Sequence, residues 1–309
     1  MRQPDEVVVL GHAAGDVDSI ISTILMQDYL RCKGIFCRGA IIGPAIDAWT
    51  KSVLRWAGIF DKDLPQYVTV ESLTQSCVFL VDHGMPSESF GTNSPPVSIV
   101  GVVDHHNRGC VEPQAPPAIK LHEPLAPSCS VLIWQLMKSE ASFRISPHQL
   151  KLILIALAVD SVCGLKYVPE RFQSLYPELL SQVSITHEDM LSHCTMDVDV
   201  SATPEFLSTY GSRNHILNGH NVSTSYAEVF RPTEERNRAI ERAHDYLVSM
   251  SHGSSGAELW LFIVRDFSCS RTTVLTAGTL ASGNLQGPII LNGIIERSEV
   301  LTLIKPFIC

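Results

Sequence analysis

Three short apolar runs in the first third of the chain each end on an aspartate or a histidine. Val7–Leu10 leads into Gly11-His12, Cys77–Val81 into Asp82-His83, and Val97–Val103 into Asp104-His105-His106. Short runs rich in Val and Ile read as buried strands. Helical patterns lie among them, at Ile20–Leu25 and Ile46–Ala57, and Gly34–Ile42 reads as a further strand. Alternation of this kind predicts an α/β fold, a mostly parallel sheet with helices on both faces. In such sheets ligands collect beyond the carboxyl ends of the strands, where this chain repeatedly puts carboxylates and imidazoles.

The first of these strand ends carries His12, Asp16 and Asp18 on a strand-to-helix loop with Gly11 and Gly15. Spaced four and two apart, the three side chains can turn inward on one ion. Hard oxygen ligands with an imidazole added suit Mn²⁺, Mg²⁺ or Co²⁺ better than a thiolate set would. The bland alternative is a polar loop in which Asp18 or Ser19 caps the next helix. A later helix, opened by Ser146 and Pro147, delivers Asp160 after Leu154-Ile155-Ala156-Leu157-Ala158-Val159. A carboxylate there is costly to bury without a positive partner. His12, Asp16, Asp18, Asp82, His105 and Asp160 together supply what a two-metal site requires, and Asp82, from a central strand, is the natural bridge. Two metals ~3.5–4 Å apart can polarise a bridging water to hydroxide and hold both ends of an in-line phosphoryl displacement.

In order and spacing, His12-x-x-x-Asp16-x-Asp18-Ser19, Val81-Asp82-His83, Asp104-His105-His106 and Asp160 resemble the four motifs of the DHH phosphoesterase superfamily, over roughly the first 165 residues. Total length and the lack of a GGGH-like motif resemble the branch with a DHHA2-type second domain. That branch holds the manganese-dependent family II inorganic pyrophosphatases, the exopolyphosphatases and the prune-like proteins. The resemblance implies one metal on His12, Asp16 and Asp82 and another on Asp18, Asp82, His105 and Asp160. The two divalent cations would be Mn²⁺ first, with Co²⁺ or Mg²⁺ as alternatives. It implies that His106 lies beside the substrate as proton donor, and that Asp104 and His83 orient ligands from behind. Gly11-His12 resembles the pyrophosphatase form of the first motif, where prune-like proteins and eukaryotic exopolyphosphatases usually carry Asn.

The expected reaction is therefore hydrolysis of a phosphoanhydride through a hydroxide bridging two metals. Pyrophosphate is the first substrate and short polyphosphate the alternative, while a prune-like interaction protein with little turnover is the reading from another class. The expected domains are 1–182, catalytic; 183–202, a linker with short helical pieces; and 203–309, closing over the substrate. In the last, Val222–Val229, Leu259–Val264, Thr272–Thr276, Pro288–Ile295 and Leu301–Ile308 read as strands. Thr233–Ser251 reads as a helix with Ile240, Leu247 and Met250 on its apolar face, and Pro113–Pro127 as a loop. The family's Ser-Arg-Lys-Lys stretch, which grips phosphates, has its nearest match in Glu296-Arg297-Ser298-Glu299, where only the arginine survives. A lysine usual early in that domain has no clear counterpart, and Arg213 and His215 are the candidates to replace it.

Composition sets the outer bounds. The chain of 309 residues is 45% hydrophobic, which permits a sizeable core. A formal net charge of −9 argues against a nucleic-acid or membrane-surface partner, although bound cations would reverse the field locally. Nine scattered cysteines with no CxxC pair and no evident signal peptide point to a reduced, cytoplasmic protein. A homodimer is left open.

Overall fold

The computed structural model describes residues 6–13, 15–43, 46–91, 97–166, 168–195, 201–209, 212–230, 233–251, 258–278, 288–295 and 297–308. The chain divides into two compact units, Met1–Thr195 and Met196–Cys309.

In the N-terminal unit, β1 (Val7–Leu10), β2 (Cys37–Ile41), β3 (Gln66–Tyr67), β4 (Cys77–Val81), β5 (Ser98–Asp104) and β6 (Ile119–His122) form one sheet in the order β3-β2-β1-β4-β5-β6. Every pairing in it is parallel. The strands are nearly continuous in apolar residues because both faces are covered. Alternate side chains go to opposite cores. Val7 and Val9 pack under α1 (Val17–Cys32), α4 (Cys129–Ser139) and α5 (Pro147–Ser161). Val8 and Leu10 pack on the other face with Leu73 and with Phe90 of the short helix α3 (Ser87–Phe90). The helices are thus shared unevenly between the faces. The chain runs outward from β1 through β2 to β3, then returns to lay β4 on the other side of β1. The carboxyl ends of β1 and β4 therefore flank the point where strand order reverses, the usual crevice of an open α/β sheet.

Local chemistry sets the helix starts. Ser146 accepts from Gln149 N–H, and the Gln149 side chain returns to Ser146 N–H, a capping box with Pro147 in the first turn. Ser128 caps α4 by accepting from Val131 N–H at 3.3 Å. In α1 the cap is Asp16, not Asp18 or Ser19: its Oδ1 accepts from Ser19 N–H at 3.0 Å. The helix starts at Val17, which frees the Asp18 side chain to turn into the protein.

The C-terminal unit holds a mixed sheet in the order β11-β10-β9-β8-β7, built from β7 (Arg213–Leu217), β8 (His220–Val229), β9 (Leu259–Asp266), β10 (Arg271–Gly278) and β11 (Ile289–Asn292). Only β8 and β9 are parallel, and α10 (Glu234–Ser251) joins them as the crossover. Ala239, Ile240, Ala243 and Leu247 are the buried residues of α10; Met250, expected beside them, is exposed.

Some sequence expectations are corrected. Leu301–Ile308 is not a strand. α11 (Arg297–Ile304) and a 3₁₀ turn (Lys305–Phe307) occupy it, with Val300, Ile304 and Ile308 buried at helical spacing and Leu303 exposed. The proline-rich stretch 113–127 contains β6. Within 183–202, where 196–200 lies outside the described residues, α8 (His187–Cys194) buries Met190 and Cys194 in the N-terminal core. Its His193 stacks on Trp56 at 4.4 Å.

Candidate metal centre

Five carboxylates and three imidazoles meet at the carboxyl ends of β1, β4 and β5. Asp82 sits at the middle. Its Oδ2 lies 3.2 Å from His12 Nε2, and its Oδ1 lies 3.2 Å from His105 Nε2. It directly follows β4 and its φ is 62°, the left-handed region, which aspartate tolerates better than most residues. Its backbone N–H still donates to Val103 O at 2.9 Å, so the turn aims the side chain inward without losing the ladder bond.

The β1–α1 loop brings His12 and Asp16 to one side of Asp82, with His12 Nε2 3.1 Å from Asp16 Oδ2. Gly11 is required there, because a Cβ on it would stand 2.3 Å from Ser19 Oγ, which accepts from His12 N–H. On the other side, His105 Nε2 lies 3.8 Å from Asp18 Oδ2 and 3.6 Å from Asp160 Oδ2. His105 Nδ1–H donates to Ala126 O at 3.1 Å, which leaves Nε2 as the ligating nitrogen. Three sets of potential ligand atoms lie within 4.8 Å of one another: His12, Asp16 and Asp82; Asp18, His105 and Asp160; and Asp82, His105 and His106.

Asp18 is fully buried, and the N-terminus of α4 holds it. Cys129 N–H and Ser130 N–H donate to its two oxygens at 2.6 and 3.1 Å, donors that a helix start leaves over. His106 Nδ1–H donates to Asp104 Oδ1 at 2.9 Å. His122 Nε2–H donates to His106 O at 2.8 Å and fixes the turn that carries both histidines. His83 is fully buried; its Nδ1–H donates to Val81 O at 2.8 Å, and its Nε2 faces Ser89 Oγ at 2.8 Å. Sequence reasoning missed Ser89, His122 and the hold of the α4 start on Asp18. Only the alternation Ile119-Lys120-Leu121-His122 hinted at a strand that could deliver His122.

Protonation follows from this crowding. Burial lowers the His12 pKa, but Asp16 and Asp82 outweigh it and raise the group to about 11. His105 is likewise raised well above the usual imidazole range, burial being overcome by Asp82 and Asp160. Burial, then the Asp82 charge, pushes Asp18 up to about 6. Burial and Asp18 raise Asp160 well above its usual range. Burial raises Asp82, but the two histidines win and hold it low. Burial lowers His83 to about 4, so it is neutral. The Asp104 bond raises His106 against burial. Protons thus neutralise the cluster where cations would otherwise stand. Asp104 Oδ2 is buried with no hydrogen-bond partner, and the buried Asp82 Oδ1 has the His105 imidazole at 3.2 Å. An acceptor that buried is expected to meet something positive, so the residues present fit divalent cations.

Arg297 belongs to the C-terminal unit, as the first residue of α11. Its guanidinium lies 5.1 Å from the Tyr226 ring centre, and that of Arg265 lies 4.9 Å from the same ring. Arg265 also pairs with Glu228. His215 Nε2 meets Thr224 Oγ1 at 3.1 Å, and burial, Arg297 and Arg213 lower its pKa. Glu299 is exposed, while Glu296 and the Ser298 side chain lie outside the described residues.

Comparison with known proteins agrees with the motifs. Residues 6–158 match the model of the DHH family, N-terminal domain. A Staphylococcus carnosus protein named as a probable manganese-dependent inorganic pyrophosphatase is 30% identical over 158 residues, 51% of this chain and 49% of that protein. The chain thus matches about half the length of that relative. A manganese-dependent inorganic pyrophosphatase of Methanocaldococcus jannaschii is 22% identical over 280 residues, 87% of this chain and 86% of its own. The fold is shared with a Methanococcus jannaschii crystal structure, provisionally classed as a family II inorganic pyrophosphatase. Its TM-score is 0.68 at 21% identity, over 98% of this chain and 99% of that one. No helix among the described residues is long and apolar enough to cross a membrane.

Proposed function

We propose that this chain, whose residues 6–158 match the model of the DHH family, N-terminal domain, hydrolyses phosphoanhydride bonds with two divalent cations, Mn²⁺ first, and that inorganic pyrophosphate is its substrate. The observation that carries the reading is Asp82, a buried carboxylate whose two oxygens face histidines on different loops. One cation would be held by His12, Asp16 and Asp82, the other by Asp18, Asp82, His105 and Asp160. When bound, the cations supply charge neutralisation for the phosphates and lower the pKa of water at the site. The chain's own groups do the rest. Asp82 would offer one oxygen to each cation site, so that its loss would cost both. His83 and Asp104 act from behind, His83 by bracing the turn after β4 and Asp104 by accepting the Nδ1 proton of His106. That bond directs the remaining His106 proton, at Nε2, toward the leaving phosphate, for which a raised pKa keeps it in supply. Arg297 contributes positive charge for a phosphate from the C-terminal unit.

A second reading has its own support. Arg297 is followed by Ser298-Glu299 where the family carries lysines, and a compact tetra-anion depends most on such cations. Short polyphosphate, with more phosphates to share among contacts, would suffer less. Phosphate release from pyrophosphate and from tripolyphosphate, with the same Mn²⁺-loaded preparation, separates the two. A higher kcat/KM for pyrophosphate supports the first reading, and a large preference for tripolyphosphate supports the second. No release from either while both ions are bound would favour a prune-like interaction protein.

A further inference from the structure

The short helix α3 carries none of the proposed metal ligands, yet it touches the loops that do. Ser89 is buried on it. Its hydroxyl lies 2.8 Å from His83 Nε2 and 3.1 Å from Gly11 O, so one proton is shared between two acceptors on different loops. His83 directly follows Asp82, and Gly11 directly precedes His12. Next to Ser89, Glu88 O accepts from Ala13 N–H at 3.4 Å, on the other side of His12. The Glu88 carboxylate pairs with Arg108 Nη1 at 3.0 Å, two residues beyond His106. The peptide units on both sides of His12 are therefore held by α3, whereas Asp18, His105 and Asp160 are held by α4 and by Ala126 O or lie on α5.

We infer that Ser89 is a positioning residue for one of the two cation sites: its hydroxyl locks the His12 loop to the turn after Asp82 and so sets where His12 presents Nε2. This rests on the two-cation reading. It carries an asymmetry that a general packing role lacks. Losing the hydroxyl loosens the site of His12 and Asp16 and spares the site of Asp18, His105 and Asp160. Groups that orient metal ligands typically govern affinity by about 10–100-fold.

The test is Mn²⁺ titration of the full chain after chelation, by calorimetry and electron paramagnetic resonance, with thermal melting alongside. His12→Ala identifies which binding step belongs to the His12 site. Ser89→Ala should weaken that step by about tenfold or more, move the other much less, and add little in the His12→Ala background. Ser89→Thr keeps the hydroxyl and should restore the step. Phe90→Leu, on the same helix and without a bond to either loop, should lower the melting temperature and leave the two steps in their original ratio. If Ser89→Ala does not fold, Ser89→Cys, of similar size and with a weak donor, carries the same comparison. Equal weakening of both steps, an unchanged His12 step, or a split reproduced by Phe90→Leu overturns the inference while two-ion binding stands. A wild-type chain that takes up no Mn²⁺ overturns the underlying reading and the inference with it.

Discussion

The two units gather opposite charges on different kinds of sheet. In the N-terminal unit an all-parallel sheet sends its carboxyl ends to one edge, and the segments there carry Asp16, Asp18, Asp82 and Asp104 with His12, His83, His105 and His106. In the C-terminal unit a mixed sheet spreads its strand ends over two edges, and Arg265 and Arg297 instead meet on a strand face, over Tyr226. Asp18, Asp82 and Asp104 in the anionic cluster are buried, and the raised His12 and His105 imidazoles offset their charge, because dehydrated carboxylates cannot stay charged unpaired. The cationic one keeps its charge, since guanidinium groups do not titrate in the accessible range. In the proposed reading, one unit would take up cations in exchange for protons and the other would offer charge to an anion.

The largest effect should come from Asp82→Ala. Losing the carboxylate shared by both ligand groups should abolish binding of both ions and bring hydrolysis down to the level of chelated protein. Asp82→Asn, which retains tolerance of the left-handed backbone, should be as inactive while folding better. Retention of one tightly bound ion in either variant would show that Asp82 does not join the two groups. Next is His106→Ala, expected to lower kcat by roughly 10²–10⁴ as a lost general acid with the ion content unchanged. Loss of metal in step with rate would make His106 a ligand instead.

Arg297→Ala probes the other side of the comparison. A charge-assisted contact is worth about 1.5–3 kcal/mol, so KM for pyrophosphate should rise tenfold or more, with Mn²⁺ affinity untouched. A change in metal binding without a change in KM would contradict the division of labour between the units.

The smallest effect is on stability against pH. The folded pKa of His12, about 11, stands above the unfolded value of about 6.5. In chelator, the stabilisation is therefore complete below pH 6.5 and is lost as pH rises toward 11, at up to about 1.4 kcal/mol per pH unit for one group. The melting temperature of metal-free protein should fall by a few degrees per unit between pH 7 and 9. With Mn²⁺ the ions replace the protons, so the slope should flatten or reverse. A metal-free melting temperature that rises over this range would show that protons do not hold the cluster together.

The parallel sheet, the helices that open at Ser128 and Ser146, and the groups at the ends of β1, β4 and β5 were all legible in the chain. Strand periodicity, capping and the position of a charged residue after an apolar run are properties of near neighbours. A short apolar run such as 301–308 fits a strand or a helix, and only the core that receives Val300, Ile304 and Ile308 decides between the two periods. What tertiary structure alone decided is which distant groups serve which carboxylate. The α4 start holds Asp18 from more than a hundred residues away, Ser89 bonds Gly11 although it lies 78 residues further along the chain, and Asp82 turns inward through a left-handed backbone. Sheet order and register bring these partners together, and both are set by packing over the whole unit rather than by the residues on either side of the site.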